Sequence, residues 1–315
     1  MIRTANQYQR WWINKVDKNK YSAKFKAVDA LLLILMILPI AFGMTLYILL
    51  TPASSGIEIA GARIFFTLDT PIQPLPITES QVNSWLVIAS VFFLCLYLTH
   101  GLSAEHPTKR QHIVEWGLEQ TKKLVSDNMG EYFDSFAPFV AAIMVLSAFS
   151  SLLTLVGMYP PTSDLNVVGG WAILVFVLIT YYKFKCGALH YLKSFTEPVA
   201  FLTPLNVISE FATPVSMAFR HYGNILSGSV ISVLVAAALQ GLSAMIFGKL
   251  PGFLGEFPFL QIGIPAVLSV YFDIFSGLLQ AFIFAMLTML YISSGFPEDD
   301  YKAKLQQKAA AKAAK

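Results

Sequence analysis

Six stretches of this chain are apolar enough and long enough to cross a lipid bilayer, and that pattern restricts the backbone more than any other feature. They fall at about residues 30–50, 82–99, 136–156, 167–182, 204–247 and 260–293. A hydrocarbon core about 30 Å thick needs about 20 apolar residues in a helix, and it offers no water to unpaired backbone groups. The expected fold is therefore all-α: a polytopic membrane protein with about six membrane segments. Composition agrees, because 56% of residues are hydrophobic and 13% charged, about half the charged share of a soluble domain.

The last two stretches are too long to stand upright. At a rise of 1.5 Å per residue they would measure about 65 and 50 Å, so each must tilt steeply, kink or re-enter. Pro214 is a candidate break in the first, and Gly223 and Gly228 permit bending or close approach further on. Residues 111–130 have a different pattern. Ile113, Leu118, Leu124 and Val125 recur at helical spacings with Glu115, Glu119, Lys122 and Lys123 between them, which predicts an amphipathic helix lying along the membrane interface.

Basic residues sort the connections into two kinds. The first 27 residues hold seven basic side chains against one acid, Asp17, and the segments 100–135, 183–203 and the tail are also lysine- or arginine-rich. The segment 51–81 has one basic residue, Arg63. Positive charge marks cytoplasmic loops, so the alternation predicts both termini on the cytoplasmic side. A cleaved signal peptide is the competing reading of the first apolar stretch; that stretch is long for one, and Thr51-Pro52-Ala53 follows it. Three units are expected: an N-terminal basic segment, extra crossing and external loop at 1–81, a membrane unit at 82–297, and a Lys/Ala-rich tail at 298–315. The net charge of +3 is dispersed, so no nucleic acid is implied as a partner. Cys95 and Cys186 lack metal-ligand spacing and read as free thiols, and no cofactor is implied.

Within the first long stretch, Arg220 sits far from either end, with Asn224 and Ser227 near its face. A guanidinium at membrane depth costs from about 3 to 10 kcal/mol or more, so it must meet protein, water or a countercharge. The second long stretch carries Asp273 and, seven residues later, Gln280, with Ser276 and Gly277 between them. Asp273 is either a proton-loading group or a structural partner of Arg220. Glu210 and Asn206, one turn apart, either line an aqueous path from the cytoplasmic side or are simple interfacial residues. His221 points about 100° away from Arg220 and reads as a packed histidine. Asp164 or Ser163 caps the helix that follows, and an acid there would also suit an external inlet.

These same residues carry a resemblance. Pro204-Leu-Asn206, Glu210, Pro214-Val-Ser216, Arg220-His-Tyr-Gly223-Asn224, Leu279-Gln280-Ala-Phe-Ile-Phe and Ser163-Asp164-Leu-Asn166 resemble subunit a of the F-type ATP synthase, over roughly residues 82–297. The resemblance implies a proton-translocating stator with two offset half-channels facing a ring of c subunits. It also implies b-type peripheral stalk subunits and other ATP synthase subunits as partners, and a bacterial inner membrane as the setting. The protein would have no catalytic centre of its own. Two departures stand out. Several bacterial members have Gly-Glu where this chain has Gly228-Ser229, and a histidine where it has Asp273; an inlet acid has then moved between neighbouring helices. The crossing at 30–50 is additional to the five-crossing bacterial form. The runner-up reading is an ion-coupled secondary transporter, for which the sequence lacks an inverted repeat; a structural membrane scaffold would have no use for Arg220.

Overall fold

A computed structural model of the protein describes residues 23–50, 61–71, 73–103, 107–185, 191, 195–196, 200–248 and 259–296. The basic segment before residue 23, Cys186 and the tail 298–315 lie outside the described residues. Helices form where the apolar stretches predicted them: α1 (Ala23–Leu50), α2 (Glu79–Thr99), α3 (Lys109–Met129), α4 (Ala137–Leu152), α5 (Leu165–Lys185), α6 (Thr203–Phe247), α7 (Phe259–Ser269) and α8 (Gly277–Ser294). Among the described residues, six spans are long and apolar enough to cross a membrane. The protein is thus an all-α polytopic membrane protein. A short antiparallel hairpin, β1 (Ile64–Leu68) and β2 (Leu75–Thr78), precedes α2 with Leu68 opposite Leu75; the apolar pattern alone did not reveal it.

The predicted break at Pro214 turns out differently. Pro214 lies inside α6, which continues through it as a single 45-residue helix. Proline removes one donor, to the carbonyl of Glu210, and the helix survives because the flanking turns remain bonded, with Thr213 Oγ1 also donating to the Ser209 carbonyl at 2.8–3.0 Å spacing typical of such bonds, here 2.9 Å. The second long stretch deforms through a π-helical segment at Val270–Ser276 between α7 and α8. The amphipathic stretch folds as α3, capped by the Thr108 hydroxyl and ended at Gly130, whose φ of 83° suits only glycine.

Side-chain ties define the two ends of the bundle. At one end Ser80 of α2 donates to Asp164 ahead of α5, and Asn83 Nδ2 donates to the Tyr159 carbonyl at 2.8 Å. At the other, Asp29 of α1 accepts from Arg110 of α3 at 3.3 Å and pairs with His100 at 2.8 Å, while Phe25 stacks on the His100 ring. The main core joins α3, α4, α5, α6 and α8 through residues such as Val125, Val140, Val175, Met217 and Met289. Its outer layer is not apolar-poor: Leu31, Phe92, Ile173 and Phe219 are exposed, as a helix facing lipid requires.

Glycine sets the closest approach. A Cβ at Gly277 would stand 2.8 Å from Ser151 Cβ, a contact that a rigid, fully buried neighbour cannot relieve. Gly277→Ala is therefore expected to destabilise the bundle by about 1–3 kcal/mol, read as a lower thermal midpoint of the detergent-solubilised protein. Adding Ser151→Gly should recover part of the loss, and an unchanged midpoint in the single variant would show that α8 shifts freely.

Candidate functional site

Arg220 projects from the exposed side of α6, near the middle of the helix, while its neighbours Met217, Ala218 and His221 are buried. No hydrogen bond or ion pair holds its guanidinium among the described residues. Ser216, Ser227, Ile231 and Leu234 are exposed on the same helix at spacings near 3.6 residues, so Arg220 belongs to a continuous outward strip of small and apolar side chains. Asp273 does not reach it as an ion-pair partner. The Ser269 hydroxyl donates to Asp273 Oδ2 instead, one turn back along the same element.

Across from Arg220's helix, the π segment brings a second set of polar groups into place. Asn224 Nδ2 donates to Ser276 Oγ at 3.1 Å, and Gly228 lets the Phe272 ring approach so closely that a Cβ there would stand 2.9 Å from it. Ser229 and Asp273, each one residue on, flank that crossing. The Ser229 hydroxyl returns to the Leu226 carbonyl at 2.8 Å, so the two side chains are neighbours by position and not bonded to each other. Gln280 is buried while Asp273 is half-buried, because the wide π turn removes the shared face that a seven-residue α-helical spacing would give them.

The remaining predicted residues divide between the two ends. Asp164 Oδ1 accepts from the Asn166 amide at 2.9 Å, capping α5, while its other oxygen accepts from Ser80. Asp164 and Asn166 line a cavity of about 490 Å³ with Ser80, Thr78, Trp85 and Trp171. Burial, and then the Asp164 carboxylate, push the nearby Tyr159 phenol up. A groove of similar size between α5 and α6, walled by Phe176, Phe211, Pro214 and Phe219, has an apolar lining. Water is stable only where polar partners hold it, which makes the Asp164 cavity the wet opening of the two.

At the opposite end, both oxygens of Glu210 accept from Lys183 Nζ, at 2.7 and 2.6 Å. Asn206 Nδ2 donates to the Phe195 carbonyl at 2.8 Å. Burial, and next Glu210, raise the Tyr191 phenol. Glu210 and Asn206 thus fasten the start of α6 to the end of α5 and the segment between. Lys183, Ser80 and Asn83 were not singled out as site residues from sequence, and no spacing marks them: each is defined by a partner 27 to 84 residues away, as in the Lys183–Glu210 and Ser80–Asp164 pairs.

The fold and the site define a multi-pass helical membrane protein that carries, near the middle of its longest helix, an exposed arginine with no hydrogen bond or ion pair among the described residues. The chain matches the family model described as "ATP synthase A chain" over residues 81–293. It is 30% identical to "ATP synthase subunit a" of Legionella pneumophila over 232 residues, covering 73% of this chain and 91% of that one. With "ATP synthase subunit a" of Priestia megaterium it shares 35% identity over 241 residues, 72% of this chain and 97% of the other. The chain belongs to the ATP synthase subunit a family, and is a non-catalytic membrane component of that complex's proton-transporting sector.

The Lys183–Glu210 pair offers a direct test of the inner end. Lys183→Met alone leaves a partly buried carboxylate unpaired and should cost about 1–3 kcal/mol, below a fully buried pair because both side chains retain some solvent contact. Adding Glu210→Leu should restore most of it in a double-variant comparison of thermal midpoints. Equal losses in Lys183→Met and the double variant would show that the carboxylate left behind carries no cost of its own.

Proposed function

We propose that this chain is the proton-translocating stator subunit of an F-type ATP synthase, presenting Arg220 to a ring of c subunits between two offset half-channels. The observation that carries the reading is the exposed guanidinium near the middle of a long apolar helix, without a hydrogen bond or ion pair among the described residues. Arginine does not lose its proton, and a charge facing lipid is costly, so the strip around it calls for a partner with carboxylates. Opposite Arg220, a ring carboxylate is favoured in its ionised form and gives up its proton. Direct passage from one half-channel to the other is blocked by the same positive charge, and each proton must travel around with the ring. The potential supplies about 2.3 kcal/mol per charge per 100 mV to bias that rotation.

The Asp164 cavity supports an external inlet, with Asp273 as the acid nearest the α6 crossing and Ser229 opposite it. Asn206 and Glu210 mark the cytoplasmic side, where both termini are expected from the basic loops. Asn224 and Gln280 order the α6–α8 contact beneath Arg220. Peripheral stalk subunits of the b type and a bacterial inner membrane complete the reading.

Arg220→Ala should assemble yet lose proton-driven ATP synthesis in membrane vesicles; coupled synthesis at the normal rate would overturn the proposal. Asp273→Asn should slow passive proton flux through membranes stripped of the soluble ATPase, and Ser229→Glu in that background should recover part of the rate. Flux unchanged in Asp273→Asn makes the residue structural, and no gain in the double variant removes the positional exchange. In a cysteine-free background, a cysteine at Thr67 should react with an impermeant thiol reagent in intact cells and one at Lys122 should not; the reverse pattern would invert the topology.

A further inference from the structure

His221 is buried to 1% exposure inside the bundle and has no part in the mechanism above. Its Nε2 lies 3.3 Å from Ser147 Oγ of α4, and its Nδ1 is buried with no hydrogen-bond partner among the described residues. The backbone of Gln280 lies against the ring, whose edges meet Trp171 and Phe284 at centroid distances of 6.3 and 5.5 Å. A histidine needed only for packing could be replaced by leucine, whereas this imidazole sets one nitrogen beside a buried hydroxyl and another edge against the Gln280 backbone.

The hydroxyl it touches is the first of a row. Ser147 and Ser151 are both buried and one helical turn apart on α4, a separation of about 5–6 Å that one water spans. Ser151 Oγ is 3.3 Å from Thr162 Oγ1. Thr162 is fully buried and adjoins Ser163, whose hydroxyl is also buried without a partner among the described residues, and then Asp164 at the cavity. Trp171 lines that cavity and touches His221 from the other side. Hydroxyls, the indole wall and the imidazole therefore form one polar seam from the cavity to the α6–α8 contact, through an otherwise apolar core.

We propose that His221 is a proton-relay residue of the external inlet, receiving protons from the Asp164 cavity through Thr162, Ser151 and Ser147. The inference rests on the half-channel reading and adds a route to it. In each passage the Ser147 O–H bond breaks as an N–H bond forms at Nε2. Rotation of the side chain then turns the new Nε2–H away from Ser147, where that bond breaks as the proton passes to water or a ring carboxylate beyond Gln280 and Asn224. The ring swings back with its Nδ1–H bond unbroken, Ser147 regains a proton from the Ser151 side, and no electron changes hands.

Passive proton flux through vesicles stripped of the soluble ATPase, normalised to assembled subunit, tests the relay in the intact membrane complex. His221→Leu should lower flux about ten-fold or more, and Ser147→Ala and Thr162→Val should each lower it several-fold. His221→Gln, which keeps size and hydrogen bonding but cannot exchange a proton, should not restore the rate. Wild-type flux in His221→Leu or in His221→Gln overturns the relay. If His221→Leu fails to assemble, unchanged flux in both Ser147→Ala and Thr162→Val overturns it equally. The half-channel reading is judged separately by Arg220→Ala: loss of coupling there with full flux in the His221 variants sinks the relay alone, whereas intact coupling in Arg220→Ala sinks the reading beneath it.

Discussion

Hydrocarbon supplies no hydrogen bonds, and the placement of nearly every polar side chain in this protein answers to that. One group of hydroxyls bonds back to its own helix: Thr45 to the Ala41 carbonyl, Thr99 to Cys95, Ser227 to Gly223 and Thr288 to Phe284. Such side chains are satisfied wherever the helix goes, and they say little about what it faces. A second group reaches across helices, in Asn83 to Tyr159, Asn224 to Ser276, Lys183 to Glu210 and Ser151 with Thr162. These fix the helices against one another. Arg220 is in neither group. It is exposed on α6, with no hydrogen bond or ion pair among the described residues.

Helix α6 separates two environments along its whole length. Arg220 and His221 are adjacent in sequence and turned about 100° apart, so one residue faces out while the next is sealed against α4, α5 and α8. A single rigid element can then respond on both sides, because neither residue can move without carrying the other. The contacts of Lys183 with Glu210 near its start and of Gly228 with Phe272 near its middle hold the first half of the helix against the bundle. With 45 residues at 1.5 Å each, it spans about 67 Å and must lie steeply inclined in a membrane about 30 Å thick. An inclined helix presents its outward strip along a broad arc of any partner beside it.

Apolar run length made the spans legible, and amphipathic spacing made α3 legible, because both depend on the solvent around a segment more than on its neighbours. Arg220 was equally plain, since charge at membrane depth is conspicuous in any register. The hairpin at Ile64–Thr78 was not: its strands hold four and five residues, and its pairing needs α2 and the Arg63–Glu79 backbone bond beside it. Pro214 misled in the other direction, as one missing donor does not end a helix whose other turns stay bonded. The hydroxyl seam was hidden for a different reason. Ser147, Ser150 and Ser151 are ordinary small residues of a membrane helix, and only the folded chain sets Thr162 and His221 beside them.

The π segment shows how a local irregularity keeps two polar jobs apart. In an uninterrupted α-helix, residues seven apart return to within about 20° of one face, and Asp273 would share the buried side of Gln280. An unpaired acid there would be enclosed with the glutamine at a high desolvation cost. The widened turn at Val270–Ser276 instead leaves Asp273 half-buried and bonded to Ser269, while Ser276, Gly277 and Gln280 stay in the contact with α4 and α6. Phe272 fills the notch at Gly228 and braces the wide turn against α6. The half-buried acid and the buried glutamine are thereby held in different surroundings, although they lie only seven residues apart in the chain.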